Sequence, residues 1–206
     1  MPRLHRPFLC LALLLLMMLI PRIARADNED QSHRRLIHEE RINCSHPAPV
    51  AEPLDPPTTS AFAGVKKFLA GAHFKENIAP SADVRIAWLG ATFMRRFSVK
   101  IEDAGGETAL QFHTLLRLSR DRHIMDDLAD RHETRLIDMW CLLKIQAHGG
   151  SGILRIDAVP NIFYVRDSSG VLGVVDAVWG GAGWEIGASS LDGERMWPVG
   201  TRVVSR

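Results

Sequence analysis

The sequence predicts an α+β fold: N-terminal helices followed by a C-terminal antiparallel β-meander packed on them. Three observations predict it. Apolar residues recur at helical spacing through the first half of the body. Gly149-Gly150 closes the last helical run, as glycine does past a helix C-terminus. Beyond it, β-branched and aromatic runs alternate with short glycine-bearing turns, and helices followed by strands define the class.

A leader precedes the body. Residues 1–8 carry Arg3 and Arg6 and no acid, residues 8–20 are an uncharged apolar run, and Ala24-Arg25-Ala26 sets small residues before Asp27. Basic, apolar, then small-x-small is the order of a cleaved secretory signal. The apolar run of 13 residues falls short of the roughly 20 that span a bilayer. The expectation is a signal peptide over 1–26 and a mature protein without a stable membrane anchor, periplasmic or secreted from a bacterial cell.

Loss of the leader changes the charge. The chain has 25 basic and 24 acidic residues; the leader removes four Arg, leaving 21 against 24, a net charge of −3 with His neutral. A mildly acidic surface exerts no long-range pull on nucleic acid or anionic lipid, so nucleic acid is not an expected partner. Two cysteines remain, Cys44 and Cys141. They form either one disulfide, which an exported chain favours, or two free thiols. A bond would close 96 intervening residues, worth on the order of 4–5 kcal/mol by chain entropy.

Residues 27–60 read as an exposed arm and linker. The stretch 27–43 is densely charged, and the apolar face of its "LIHEERI" is too narrow for a helix to stand alone. Pro47, Pro49, Pro53, Pro56 and Pro57 then favour extended chain. Residues 61–206 are long enough for one α+β domain with one core.

Within the body, Phe62, Val65, Phe68 and Leu69 have helical spacing. Residues 81–97 start on Ser81 as an N-cap and place Val84, Trp88, Phe93 and Phe97 along one face. Gly90 allows a strand–turn–helix alternative over 84–97. Residues 108–119 are ambiguous between strand and helix. Residues 119–150 read as a helix with Leu136, Trp140 and Leu143 on one face, and Ile137 and Cys141 beside it. "GILRIDAV" reads as a strand, and 161–190 as three strands joined by Asp167–Gly170 and Gly180–Gly183. "MWPVGTRVVSR" adds an edge strand, with Pro198 tolerated near its start.

The common catalytic signatures are missing. His132-Glu133 and His38-Glu39 both lack the second histidine of a zinc-protease helix, and there is no nucleophile elbow, phosphate loop or C-x-x-C. A polar cluster remains at 113–133. His123 and Asp127 are i,i+4 neighbours. Nine residues at about 100° each carry His132 to the opposite helix face from His123, and Arg120, Arg122 and Arg131 oppose a cation. The plain reading is a solvated helix face. Cys141, among apolar neighbours, reads as packing or disulfide rather than nucleophile.

Aromatics crowd the C-terminal third: Phe163, Tyr164, Trp179, Trp184 and Trp197. These rings either pack against the helices or present a binding face. Trp184, at a hairpin exit, is the one expected to be partly exposed. The favoured reading is an exported, non-enzymatic binding or interaction module of the bacterial envelope. Tyr164, Trp179, Trp184 and Trp197 would contact an envelope protein or a small ligand, with no cofactor. The alternative is a small secreted hydrolase or metal-dependent enzyme using His113, His123, Asp127 or His132.

Overall fold

The structure is a computed structural model that describes residues 35–45, 67–104 and 107–206. The signal peptide expected over 1–26 and the proline-rich stretch lie outside the described residues. The α+β expectation is overturned: the protein is mostly sheet, with only four short helices among the described residues. In chain order these are α1 (Ala70–His73), α2 (Ala91–Arg96), α3 (Asp121–Leu128) and α4 (Leu136–Ile145).

The main sheet has eight strands and is mixed. Its path runs β1 (Leu36–Ser45), β5 (Glu107–Leu115), β12 (Arg202–Ser205), β8 (Asn161–Arg166), β9 (Leu172–Trp179), β10 (Trp184–Ser190), β3 (Ile86–Leu89). The pairings β12–β8 and β10–β3 are parallel, the others along the path antiparallel. A short β7 (Glu133–Thr134) adds to β8 in parallel. Two small ribbons flank the sheet: β2 (Lys67–Leu69) with β4 (Ile101–Asp103), and β6 (Ser119–Arg120) with β11 (Met196–Trp197).

The meander over 161–190 is present as expected. Gly170, at φ +80°, turns one hairpin, and Asp167 Oδ1 accepts from the Ser169 and Val171 N–H groups in the same turn. Other expectations fail for tertiary reasons. Residues 36–45, placed in the charged arm, form the ten-residue edge strand β1 paired with β5. The Arg202–Ser205 segment is not an edge but lies inside the sheet, between β5 and β8. "GILRIDAV" is not a strand; the Gln146 amide instead bonds both backbone groups of Leu154 (2.6 and 3.1 Å) and holds that segment on the core.

The single helix expected over 119–150 is split. Ala129, at φ +53°, ends α3, and a 3-10 turn leads into β7, whose Glu133 and Thr134 align with Tyr164 and Val165. The sheet takes those residues from the helix. Then α4 restarts after Arg135, whose backbone N–H donates to Asp138 Oδ2 (3.0 Å) and whose guanidinium donates to Asp138 Oδ1 (3.2 Å). Glu102, from β4, accepts from the Leu136 and Ile137 N–H groups (3.1 and 2.9 Å), satisfying two of the free donors at the helix start. Over 84–97 the strand–turn–helix alternative holds: β3, an extended Gly90, then α2.

Both faces of the central strands are buried. One face carries Leu110, Phe112, Phe163, Val165, Val175, Ala177, Ile186 and Val204, packed in one cluster with α4, α2 and Phe74. The other carries Leu115, Ile162, Tyr164, Val174 and Val203 under Ile124 and Leu128 of α3 and under Trp197. Each fully buried aliphatic or aromatic side chain contributes roughly 1.5–3 kcal/mol. Cys44 and Cys141 are joined as a disulfide with Cα atoms 6.1 Å apart, tying β1 to α4. Among the described residues no helix is long and apolar enough to cross a membrane.

Candidate functional site

Of the four aromatic residues picked from the sequence, three lie in the interior and Trp179 is partly buried. Tyr164, Trp184 and Trp197 are buried. The Tyr164 hydroxyl (2.9 Å) and the Trp197 indole N–H (2.6 Å) both donate to Asp121 Oδ1 at the start of α3. Burial raises the Asp121 carboxyl above its ordinary range, against the two hydrogen bonds that lower it. Burial, then the Asp121 charge, pushes the Tyr164 hydroxyl far up, so it stays a donor. Trp184 donates to the Gln146 carbonyl (3.2 Å), and Trp179 packs edge-on against it at 5.4 Å. The partly exposed Trp184 expected from its hairpin position is therefore corrected: it lies on the helix-covered face, aligned with Trp179.

The His/Asp cluster does not converge. Asp127 is ion-paired with Arg35 (2.9 Å), and the same guanidinium nitrogen donates to the His123 carbonyl. His123 Nε2 accepts from Arg122. His132 bonds the Ala129 carbonyl and packs edge-on against Tyr164. His113 Nε2 lies 3.0 Å from Ser205 Oγ, a serine–histidine contact, but Ser205 is fully buried and offers no surface to a substrate. Among the described residues no three His, Cys, Asp or Glu side chains are grouped to hold a metal ion.

A cleft of about 550 Å³ opens between α2 and the chain after α1, lined by Phe74, Lys75, Glu76, Leu89, Met94 and Val99. The Glu76 carboxylate is already used there, accepting from the Leu89 N–H (2.9 Å).

A different arrangement sits on the sheet surface. The cover formed by α3 and Trp197 stops at β9; on the same face β10 and β3 present Glu185, Gly187 and Trp88 outward. Trp88 is 51% exposed, the one exposed aromatic side chain of large size among the described residues. The Gly90 N–H donates to the Ile186 carbonyl (2.9 Å), which sets Gly90 beside Gly187. Neither glycine has room for a side chain. A Cβ on Gly90 would come within 2.9 Å of Trp88 Cη2, and one on Gly187 within 2.9 Å of Asp176 Oδ1. The indole and the carboxylate thus lie down over adjacent glycines. Arg195 grips Asp176 with two nitrogens (3.1 and 3.3 Å) and lies 3.9 Å over the Trp197 ring. Ser189, further along β10 on this face, has a buried hydroxyl with no hydrogen-bond partner among the described residues.

The sequence reading missed this platform. Helical spacing over 81–97 puts Trp88 on a helix face; the signal that finds it is Gly90, which permits the strand–turn–helix path. No protein-family model matches the chain, and neither a curated protein nor a solved structure matches it.

Proposed function

We propose that the protein is an exported, non-enzymatic binding module of the bacterial cell envelope, and that it takes its partner on the uncovered half of the sheet around Trp88. One observation carries the reading: a half-exposed indole seated over a glycine, beside an ion pair, on a sheet whose other large rings are buried or, for Trp179, partly buried. Exposed Trp with a flanking Arg is the composition of binding hot spots. The signal-like leader and the Cys44–Cys141 pair support an oxidising compartment, periplasmic or extracellular.

The test is site-directed cross-linking in the exporting cell. A photoreactive residue at position 88 is compared with one at Val171, which is exposed on a hairpin between β8 and β9. An adduct specific to position 88 supports the reading. Identical adduct patterns at both positions, or none at 88, refute it. The same sample reports whether the leader is cleaved after Ala26.

A further inference from the structure

We propose that the Cys44–Cys141 disulfide is a redox latch on the edge strand β1. Oxidised, it holds the C-terminal half of β1 on β5; reduced by a dithiol that reaches it at Cys141, it lets that half open while the rest of the sheet stays folded. The strand depends on the bond because little else holds it. Among the described residues β1 pairs only with β5, and its outer edge has no partner. Ile37, His38, Glu40, Arg41 and Asn43 are exposed, and Cys44 is the one buried side chain described on the strand, with Leu36 and Ile42 partly buried. At the other end of the bond, α4 buries Leu136, Ile137, Met139, Leu142 and Leu143. When the bond breaks, the strand moves and the helix stays.

The two ends of β1 are held unequally. At its start, Arg35 pairs with Asp127 (2.9 Å), the Arg35 carbonyl accepts from the Leu116 N–H (2.9 Å), and the His38 ring lies 5.2 Å from that of His113. The register with β5 then shifts between His38 and Glu40, a break of the kind at which a strand bends. Beyond it, Ile42 and the disulfide are the contacts with the core. Opening therefore begins at Ser45 and stops at the shift, and it bares the backbone groups of Glu107–Phe112 that face β1.

Burial decides which sulfur is attacked. Cys44 is fully buried and Cys141 is partly exposed. A reductant thiolate attacks Cys141 Sγ, the S–S bond breaks, and Cys44 leaves as a thiolate that takes up a proton. The second thiol of the reductant then attacks the mixed disulfide, Cys141 is released as a thiol, and the dithiol departs as its own disulfide, two electrons having passed to the protein. An oxidising compartment keeps the latch shut and a reducing one opens it.

The experiment is hydrogen–deuterium exchange, read by mass spectrometry on the purified protein before and after full reduction by dithiothreitol. Reduction speeds exchange at 40–45 and at the β5 amides facing them by roughly tenfold or more, alters 36–38 less, and leaves β8 and β9 unchanged. Unchanged exchange at 40–45 overturns the latch. Exchange raised as much in β8 and β9 also overturns it, since the bond would then staple the whole sheet, and an equal gain along all of β1 removes the hinge at the register shift. Brief exposure to glutathione, quenched with acid, places the first mixed disulfide on Cys141; a first adduct on Cys44 overturns the order of attack.

Discussion

The two faces of the sheet are built differently. Under α4 and α2 the core is continuous and almost wholly apolar, from Cys44 through Phe112 and Phe163 to Trp184. Under α3 the cover is smaller and organised on a polar centre, Asp121 with Tyr164 and Trp197. Among the described residues it does not extend over β10 and β3. The first face is held by area, the second by a few directed bonds, and the part that these described elements leave uncovered carries the Trp88 platform.

The largest expected effect falls on the apolar side. Replacing both Cys44 and Cys141 with Ser frees β1 from α4 and costs about 4–5 kcal/mol by chain entropy, read as a fall in the guanidinium unfolding midpoint. Phe163→Ala, on the same face, costs about 3–5 kcal/mol; a loss under about 1 kcal/mol in the same assay would deny that this face dominates. On the α3 side, Asp121→Ala leaves the Tyr164 hydroxyl and the Trp197 N–H without their acceptor and costs about 2–3 kcal/mol. Loss of near-ultraviolet circular dichroism from these rings, with the far-ultraviolet spectrum retained, marks it as local to that face.

Acid titration separates the faces by sign. The Asp121 carboxyl is raised by burial, so the native state holds its proton longer than the unfolded chain. Its contribution is most favourable below about pH 4 and declines as pH rises through the folded value. Asp138, on α4, is also buried, but its hydrogen bonds and charge pairing with Arg206 and Arg135 outweigh burial and lower it. Its stabilisation is full above about pH 4 and is lost as pH falls through the folded value. In urea melts across pH 3–7, roughly the range in which carboxyls titrate, Asp138→Asn flattens the acid limb and Asp121→Asn flattens the opposing trend. The smallest stability effect belongs to Trp88→Ala, within about 0.5 kcal/mol, as for exposed positions generally. Binding, not folding, registers its loss.

The meander was legible because its signals are local: β-branched runs and glycine turns within 161–190. The rest depends on distant partners. Nothing in 119–150 announces that Glu133 and Thr134 leave the helix, because the reason is an alignment with Tyr164 and Val165 on β8. The arm at 36–45 looks solvated by its charges, yet β5 aligns with it along its length. The rings misled for a related reason. Alternation separates inside from outside only when one face is wet, and β8 is buried on both sides through five consecutive residues. The cysteine pair was the exception, a long-range contact suggested by count and compartment alone.

The place of β12 has a consequence for how the sheet comes together. It joins the β1–β5 pair to the β8–β9–β10–β3 block, yet it follows every other strand in the sequence. Made from its N-terminus, the chain has no hydrogen-bonded link between the two blocks until Arg202–Ser205 is in place. Non-local closure of this kind is slow, and a sheet whose linking strand comes last in the sequence is completed only when the C-terminal segment docks.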